Sequence, residues 1–221
     1  MRRKCQLSTC IVLILITSLN LHAQDPTRFA DQIEQMKAMP PQSKENLIIF
    51  TGSSSVRMWK DVASTFPEYN IVNRGFGGSQ MSDLLYYVED IVIKDMPCEV
   101  FIYEGDNDIS AGKSTDAILQ DTREVVEKIW AANPHTDIVL ISPKPSVARW
   151  NMRDKYLALN QELRKMAKDN SHLRFVDVWT PALDADGVVF QDIFLEDNLH
   201  MNAKGYAIWE KAVRPYLRKC D

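Results

Sequence analysis

The sequence predicts an α/β fold: a five-stranded parallel sheet, doubly wound, with helices on both faces. Two observations carry this. Five short apolar runs recur along the chain, at Leu47–Phe50, Tyr69–Val72, Val100–Tyr103, Ile138–Ile141 and Arg174–Val178, and segments with apolar residues at helical spacing separate most of them. Near-continuous apolar strands are the mark of a sheet buried on both sides, and strands alternating with helices give parallel pairing.

The elements follow in order. Met1-Arg-Arg-Lys is a cationic start, and Ile11 to Leu21 is an apolar run of about 11 residues, too short for the ~30 Å core of a bilayer. Ending at Leu21-His22-Ala23, residues 1–23 read as an export signal, with cleavage before Gln24. Leu7-Ser8-Thr9-Cys10 is not a lipidation box, because its cysteine precedes the apolar run. Residues 24–221 form one domain. A short helix carries Phe29, Ile33 and Met36 on one side and stops before Pro40-Pro41. After the second strand, Leu84, Leu85, Val88 and Ile91 place a helix from Met81 to about Asp95. Ser114 reads as the N-cap of a helix reaching about Ala132, ended by Asn133-Pro134. Tyr156, Leu157, Leu159 and Leu163 mark a helix from Asp154 to Lys168, and the last helix runs from Ala203 to Leu217.

Composition narrows the function classes. The 221 residues are 45% hydrophobic and 25% charged, ordinary for a globular chain. Formal net charge is −4, and loss of Arg2, Arg3 and Lys4 with the signal makes it −7. That argues against nucleic-acid binding through a basic face. No stretch of the mature chain is long and apolar enough to cross a membrane. Export removes Cys5 and Cys10 and leaves Cys98 and Cys220, both expected at the lower rim of the sheet. In an oxidising compartment they are either a disulfide or two unrelated thiols.

In such sheets ligands bind at the carboxyl ends of the strands. Those loops hold the unusual residues: Gly52-Ser53-Ser54-Ser55, Asn73-Arg74-Gly75-Phe76-Gly77-Gly78, Glu104-Gly105-Asp106-Asn107-Asp108, and Asp197-Asn198-Leu199-His200. Five of the chain's 8 glycines lie in the first three, where they permit tight turns and close approach to backbone N–H groups. A serine hydroxyl needs a base to take its proton, histidine is the base suited to neutral pH, and a carboxylate fixes the imidazole. Backbone N–H groups and an asparagine amide bind the oxyanion of acyl transfer. Ser54, His200, Asp197, Gly78 and Asn107 supply every part. His135 and His172 belong to the lower rim. Each loop alone is more simply a cap or a turn; four of them at one edge, each with the needed group, are not.

The four blocks resemble those of the SGNH hydrolases, the GDSL-type esterases and lipases, in family order across residues 47 to 206. Phe50-Thr51-Gly52-Ser53-Ser54 is similar to the first block, with Ser54 at the nucleophile position. Gly78 stands at the oxyanion glycine of the second, and Gly105-Asp106-Asn107-Asp108 matches the third, with Asn107 as donor. Asp197 and His200 match the last. Ser53 replaces the usual aspartate of the first block. Ser142-Pro-Lys-Pro-Ser-x-x-Arg149-Trp150 and Trp59 resemble an esterase subgroup. No G-x-S-x-G elbow is present.

The resemblance implies a flavodoxin-like three-layer α/β/α sandwich of strand order 2-1-3-4-5 and a serine esterase needing no metal or organic cofactor. The expected substrates are small soluble esters, O-acetyl groups on carbohydrates first, with a periplasmic or secreted location. Trp59, Phe76, Arg149 and Trp150 are the substrate-binding candidates, joined by Tyr103 and Phe194 as possible pocket walls; packing is the alternative for each aromatic and a solvent-facing guanidinium for Arg149. Three rival readings stand beside this: a lysophospholipase or thioesterase of the same fold, a catalytically dead carbohydrate-binding module, and a calcium loop at Asp106–Ser110. That last segment lacks the glycine and distal glutamate of a helix-loop-helix site. A redox flavodoxin has no use for the histidine and aspartate.

Overall fold

A computed structural model of the chain describes residues 25–41, 43–168 and 170–219. The expected signal segment and Cys220 lie outside the described residues. Five parallel strands, β1 (Leu47–Gly52), β2 (Asn70–Gly75), β3 (Glu99–Tyr103), β4 (Asp137–Ile141) and β5 (Leu173–Val176), pair in the order β2-β1-β3-β4-β5. Sequence and structure agree on fold class and strand order.

Alternation along β1 explains the three layers. Leu47 and Ile49 pack into one core with Phe29, Ile33, Leu84, Val88, Ile118 and Leu159. Ile48 and Phe50 pack into the other with Val56, Trp59, Phe66, Val178 and Trp209. Successive side chains of a strand point to opposite faces, so a strand apolar at every position needs helices on both. The first face is covered by α1 (Ala30–Lys37), α4 (Met81–Ile91), α6 (Thr115–Ala132) and α7 (Arg153–Met166). The second takes the short α2 (Ser54–Arg57) and α3 (Val62–Thr65) and the terminal α8 (Ala203–Val213). Ser114 caps α6 as expected, its side chain accepting from the Ala117 N–H at 3.2 Å. Cys98, one residue before β3, is disulfide-bonded.

Several boundaries differ from the sequence reading, by a few residues at the ends of α4, α7 and β5 and more informatively at three places. β2 continues through Asn73-Arg74-Gly75, which the sequence places in a loop. Arg74 is 2% exposed there, its guanidinium donating to the Met36 and Met39 carbonyls and to Asp95. A buried arginine whose two terminal nitrogens are both bonded can sit in a strand, because its charge is paired and its main donors are satisfied. The last α-helix stops at Val213 because Pro215 has no N–H to continue it, and a 3-10 turn carries the chain to Tyr216. Asp106–Ser110 is the short helix α5.

Candidate active site

The chain passes from β1 outward to β2 and then back across to β3, so the crevice where strand order reverses lies between the carboxyl ends of β1 and β3. Gly52, paired with Gly75 on one side and Tyr103 on the other, closes β1 at this point. Its φ is +122°, and a Cβ there would stand 2.0 Å from the Tyr103 carbonyl oxygen. Only glycine fits. The chain turns at once into α2, and Ser54 is the helix's first residue, where a backbone N–H has no intrahelical acceptor.

The loop after β5 brings the histidine and aspartate. An antiparallel bridge between Phe194 and Met201 pinches it, the Leu195 N–H donates to the His200 carbonyl at 2.7 Å, and Asn198 takes a positive φ of 57°. Asp197 and His200 therefore face the same way. His200 Nε2 lies 2.9 Å from Ser54 Oγ, and His200 Nδ1 lies 2.5 Å from Asp197 Oδ2. Asp197 Oδ1 also accepts the N–H groups of Leu199 and His200, each at 2.9 Å. The bond from His200, with these two backbone donors, holds the Asp197 carboxyl at about 2. It is thus ionised and can only accept, so Nδ1 carries the proton. Nε2 is left as the acceptor for the Ser54 hydroxyl. The relay is accessible: the His200 side chain is 26% exposed and that of Asp197 48%.

On the opposite side, Gly78 has a φ of +81° with open space where a Cβ would project. Asn107 Nδ2 donates to the Ser79 carbonyl at 2.9 Å, tying the loop after β3 to the one after β2. Asn107 Oδ1 accepts from Arg149 at 3.1 Å. These two partners orient the amide and leave one Nδ2 hydrogen uncommitted. Asp108 is a staple: its carboxylate accepts the N–H groups of Met81, at 3.1 Å, and Gly105, at 3.2 Å, and pairs with Lys113 at 3.0 Å.

Beneath the site sits Asp106. Its carboxylate accepts from Tyr103 at 2.9 Å, from Tyr156, and from Arg149 at 2.5 Å, and faces Lys144 at 3.7 Å. Burial alone would raise its pKa; Lys144 and Arg149 outweigh that and hold it below the ordinary value. Glu104, fully buried, is pushed well above the carboxylate range by burial and then by Asp108, with the Ser79 hydroxyl as its partner.

Of the expected substrate contacts, Trp59 and Phe76 are 1% and 0% exposed and pack edge-on against Phe50 and Phe29, so both serve the core. Tyr103 is buried, and Phe194 nearly so beneath Lys144. Arg149 is turned inward to Asp106 and Asn107. Trp150 is the one aromatic of the set that remains partly exposed, stacked on Trp179 with ring centroids 6.0 Å apart. His172, paired with Asp137, and His135 lie beside the amino end of β4, away from the relay. The sequence marks Tyr156 only as a helix residue and Glu104 only as a loop residue, and the Pro-Lys-Pro signature after β4 is the one hint of Lys144. Among the described residues, no group of three or more His, Cys, Asp or Glu is placed to hold a metal, and no helix is long and apolar enough to cross a membrane.

A family model described as the GDSL-like lipase/acylhydrolase family matches residues 48–208. A search of curated proteins found no match. Among solved structures, a Streptococcus pneumonia protein provisionally described as a platelet activating factor superposes with a TM-score of 0.77 at 22% identity, over 87% of this chain and 92% of the other. A GDSL-like lipase from Bacteroides thetaiotaomicron gives 0.72 at 21% identity, over 87% and 96%. An acetylxylan esterase from Geobacillus stearothermophilus gives 0.62 at 18%, over 80% and 94%. At these identities the neighbours share the fold.

Proposed function

The chain belongs to the GDSL-like lipase/acylhydrolase family and is a carboxylic ester hydrolase, and from that premise we propose that it is an exported serine esterase for short acyl groups. O-acetyl esters of carbohydrates are the first expected substrates. The observation that carries this is the hydrogen-bonded relay from Ser54 through His200 to Asp197.

In the proposed reaction, Ser54 Oγ attacks the ester carbonyl carbon while His200 Nε2 takes its proton. The N–H groups of Ser54 and Gly78 and the free Nδ2 hydrogen of Asn107 hold the oxyanion, and Asp197 stabilises the imidazolium. The bond to the alcohol oxygen breaks, and His200 gives that oxygen its proton. Water then attacks the acyl-serine, His200 takes the water's proton, and Ser54 leaves with it as the carboxylic acid is released. No step calls on a metal or an organic cofactor.

The short-acyl reading is supported by the burial of the large aromatics expected at the site. A long chain needs apolar surface to leave water for, and the large aromatics expected there, Trp59 and Phe76, are spent in the core. Half-exposed Trp150 is a suitable face for a sugar ring. One observation favours the lysophospholipase or thioesterase alternative: Val188, Phe190 and Leu195 are exposed on the segment that carries Asp197 and His200. An intact relay speaks against a catalytically dead binding module.

The test is turnover of p-nitrophenyl acetate, butyrate and octanoate by the purified protein beside Ser54→Ala. Acetate turnover that falls with chain length and vanishes in the variant is expected. A preference for octanoate favours the lipid reading, and equal background from both proteins removes the serine mechanism. Export predicts a mature amino terminus at Gln24, read by protein sequencing of the periplasmic and extracellular fractions.

A further inference from the structure

The loop after β4, residues 142–149, supplies no member of the relay, yet it turns two cations inward. Lys144, with a side chain 2% exposed, donates through Nζ to the Leu199 carbonyl at 2.7 Å and faces Asp106 at 3.7 Å. Arg149, 16% exposed, donates through Nη1 to the Asp106 carbonyl at 3.0 Å and to its carboxylate, and through Nη2 to Asn107 Oδ1. Between them, the Ala148 N–H donates to the Asn198 carbonyl at 3.0 Å. Both carbonyls that separate Asp197 from His200 are thus held by this one loop, and so is the amide on the other side of the crevice.

We propose that Lys144 and Arg149 are positioning residues, which set the oxyanion amide of Asn107 and the Asp197–His200 turn in place relative to each other. The proposal rests on the serine-esterase reading. The chemistry of the contacts makes the cations specific. An asparagine amide has two orientations of nearly equal shape. Arginine has no acceptor, so its Nη2 next to the amide requires Oδ1 there and sends Nδ2 towards the Ser79 carbonyl and the crevice. A flipped amide would set N–H against guanidinium and oxygen against carbonyl. Lysine at 149 would keep the charge beside Asp106 but cannot fork between two residues as a planar guanidinium does. Lys144 does the corresponding work for the turn: its ammonium replaces water as the donor to Leu199, immediately before His200.

The experiment measures kcat and KM on p-nitrophenyl acetate, with melting temperature and the rate of Ser54 labelling by a fluorophosphonate. The proteins are wild type, Arg149→Lys, Asn107→Ala, the Arg149→Lys/Asn107→Ala double variant, and Lys144→Met. A misplaced catalytic group costs about 10²-fold, so Arg149→Lys should lower kcat by roughly that factor with KM little changed. On the Asn107→Ala background the same substitution should cost less than about threefold, since the amide it orients is gone. Lys144→Met should slow turnover and labelling in the same proportion while the protein stays folded.

Arg149→Lys with native kcat, a loss expressed in KM, or equal losses with and without Asn107 would overturn the role of Arg149. Should that variant not fold, Lys144→Met decides: native melting with native kcat and labelling overturns the brace. A wild-type protein with neither Ser54-dependent turnover nor Ser54 labelling overturns the esterase reading, and this proposal with it. Normal wild-type turnover with the wrong variant pattern overturns this proposal alone.

Discussion

Replacing Asn107 with alanine separates catalysis from stability in a way the structure makes quantitative. The amide forms two bonds in the resting protein, from Nδ2 to Ser79 at 2.9 Å and from Arg149 to Oδ1 at 3.1 Å. At about 1 kcal/mol each net, their loss should destabilise the fold by about 2 kcal/mol. For a domain of this size that lowers the melting temperature by roughly 4–8 °C. In the proposed mechanism the third capacity, the free Nδ2 hydrogen, is used only when charge develops on the substrate oxygen. Removing one such donor costs about 3–4 kcal/mol, or 10²–10³ in kcat. The assay is steady-state hydrolysis of p-nitrophenyl acetate, run below the melting transition measured for each protein. A kcat drop in that range with KM nearly unchanged is the expected result. Asn107→Asp should be worse than alanine, because it still accepts from Arg149 but points an anion at the oxyanion. A loss under about tenfold in a folded Asn107→Ala protein would remove the residue from the oxyanion site and refute the reasoning.

Gly52→Ala should yield no soluble folded protein, since its Cβ would overlap the Tyr103 carbonyl. Gly78→Ala has room and should fold, at a cost of about 1–2 kcal/mol for its positive φ, read by thermal melting. Asp197→Asn should lower kcat by about 10⁴-fold by putting the imidazole proton on the wrong nitrogen. The Asp197 carboxyl sits at about 2 in the folded protein, below its ordinary value of 3.8. Its ionised form therefore contributes stability that is complete above about pH 4 and lost as pH falls towards 2. Denaturation from pH 2 to 7 should show a stability gap between wild type and Asp197→Asn that is constant above pH 4 and closes below it. Cys98 is disulfide-bonded, and Cys220 is its expected partner; a non-reducing peptide map should show that pair. Reduction should cost up to about 4–5 kcal/mol, because the loop it closes exceeds 100 residues.

Much of this was readable in advance because it depends on neighbours along the chain. The apolar runs at Leu47, Val100 and Ile138 identify strands buried on both faces, since no half-exposed strand tolerates an apolar residue at every position. Gly52, Gly78 and Gly105 mark turns because each has a positive φ. The serine, asparagine, aspartate and histidine blocks are legible as types of chemistry in a fixed order. Arg74 misled, because a charged residue reads as loop unless its buried partners, 21 to 38 residues away, are known. Trp59 and Phe76 misled for the opposite reason: an aromatic side chain near a site has the same composition whether it faces the crevice or the core.

What the sequence by itself determined, then, was the alternation of strand and helix, the edge of the sheet where chemistry belongs, and which functional groups stand there. Only the tertiary structure decided that Ser54 meets His200 across 146 residues of chain, that the Asn107 amide is held between the Ser79 carbonyl and Arg149, and that Lys144 and Arg149 are turned inward. The division has a physical cause. Periodicity, turns and caps are settled within a few residues by backbone sterics and local hydrogen bonds. The partner of a side-chain donor is settled by which loops the packed sheet brings within about 3 Å of one another.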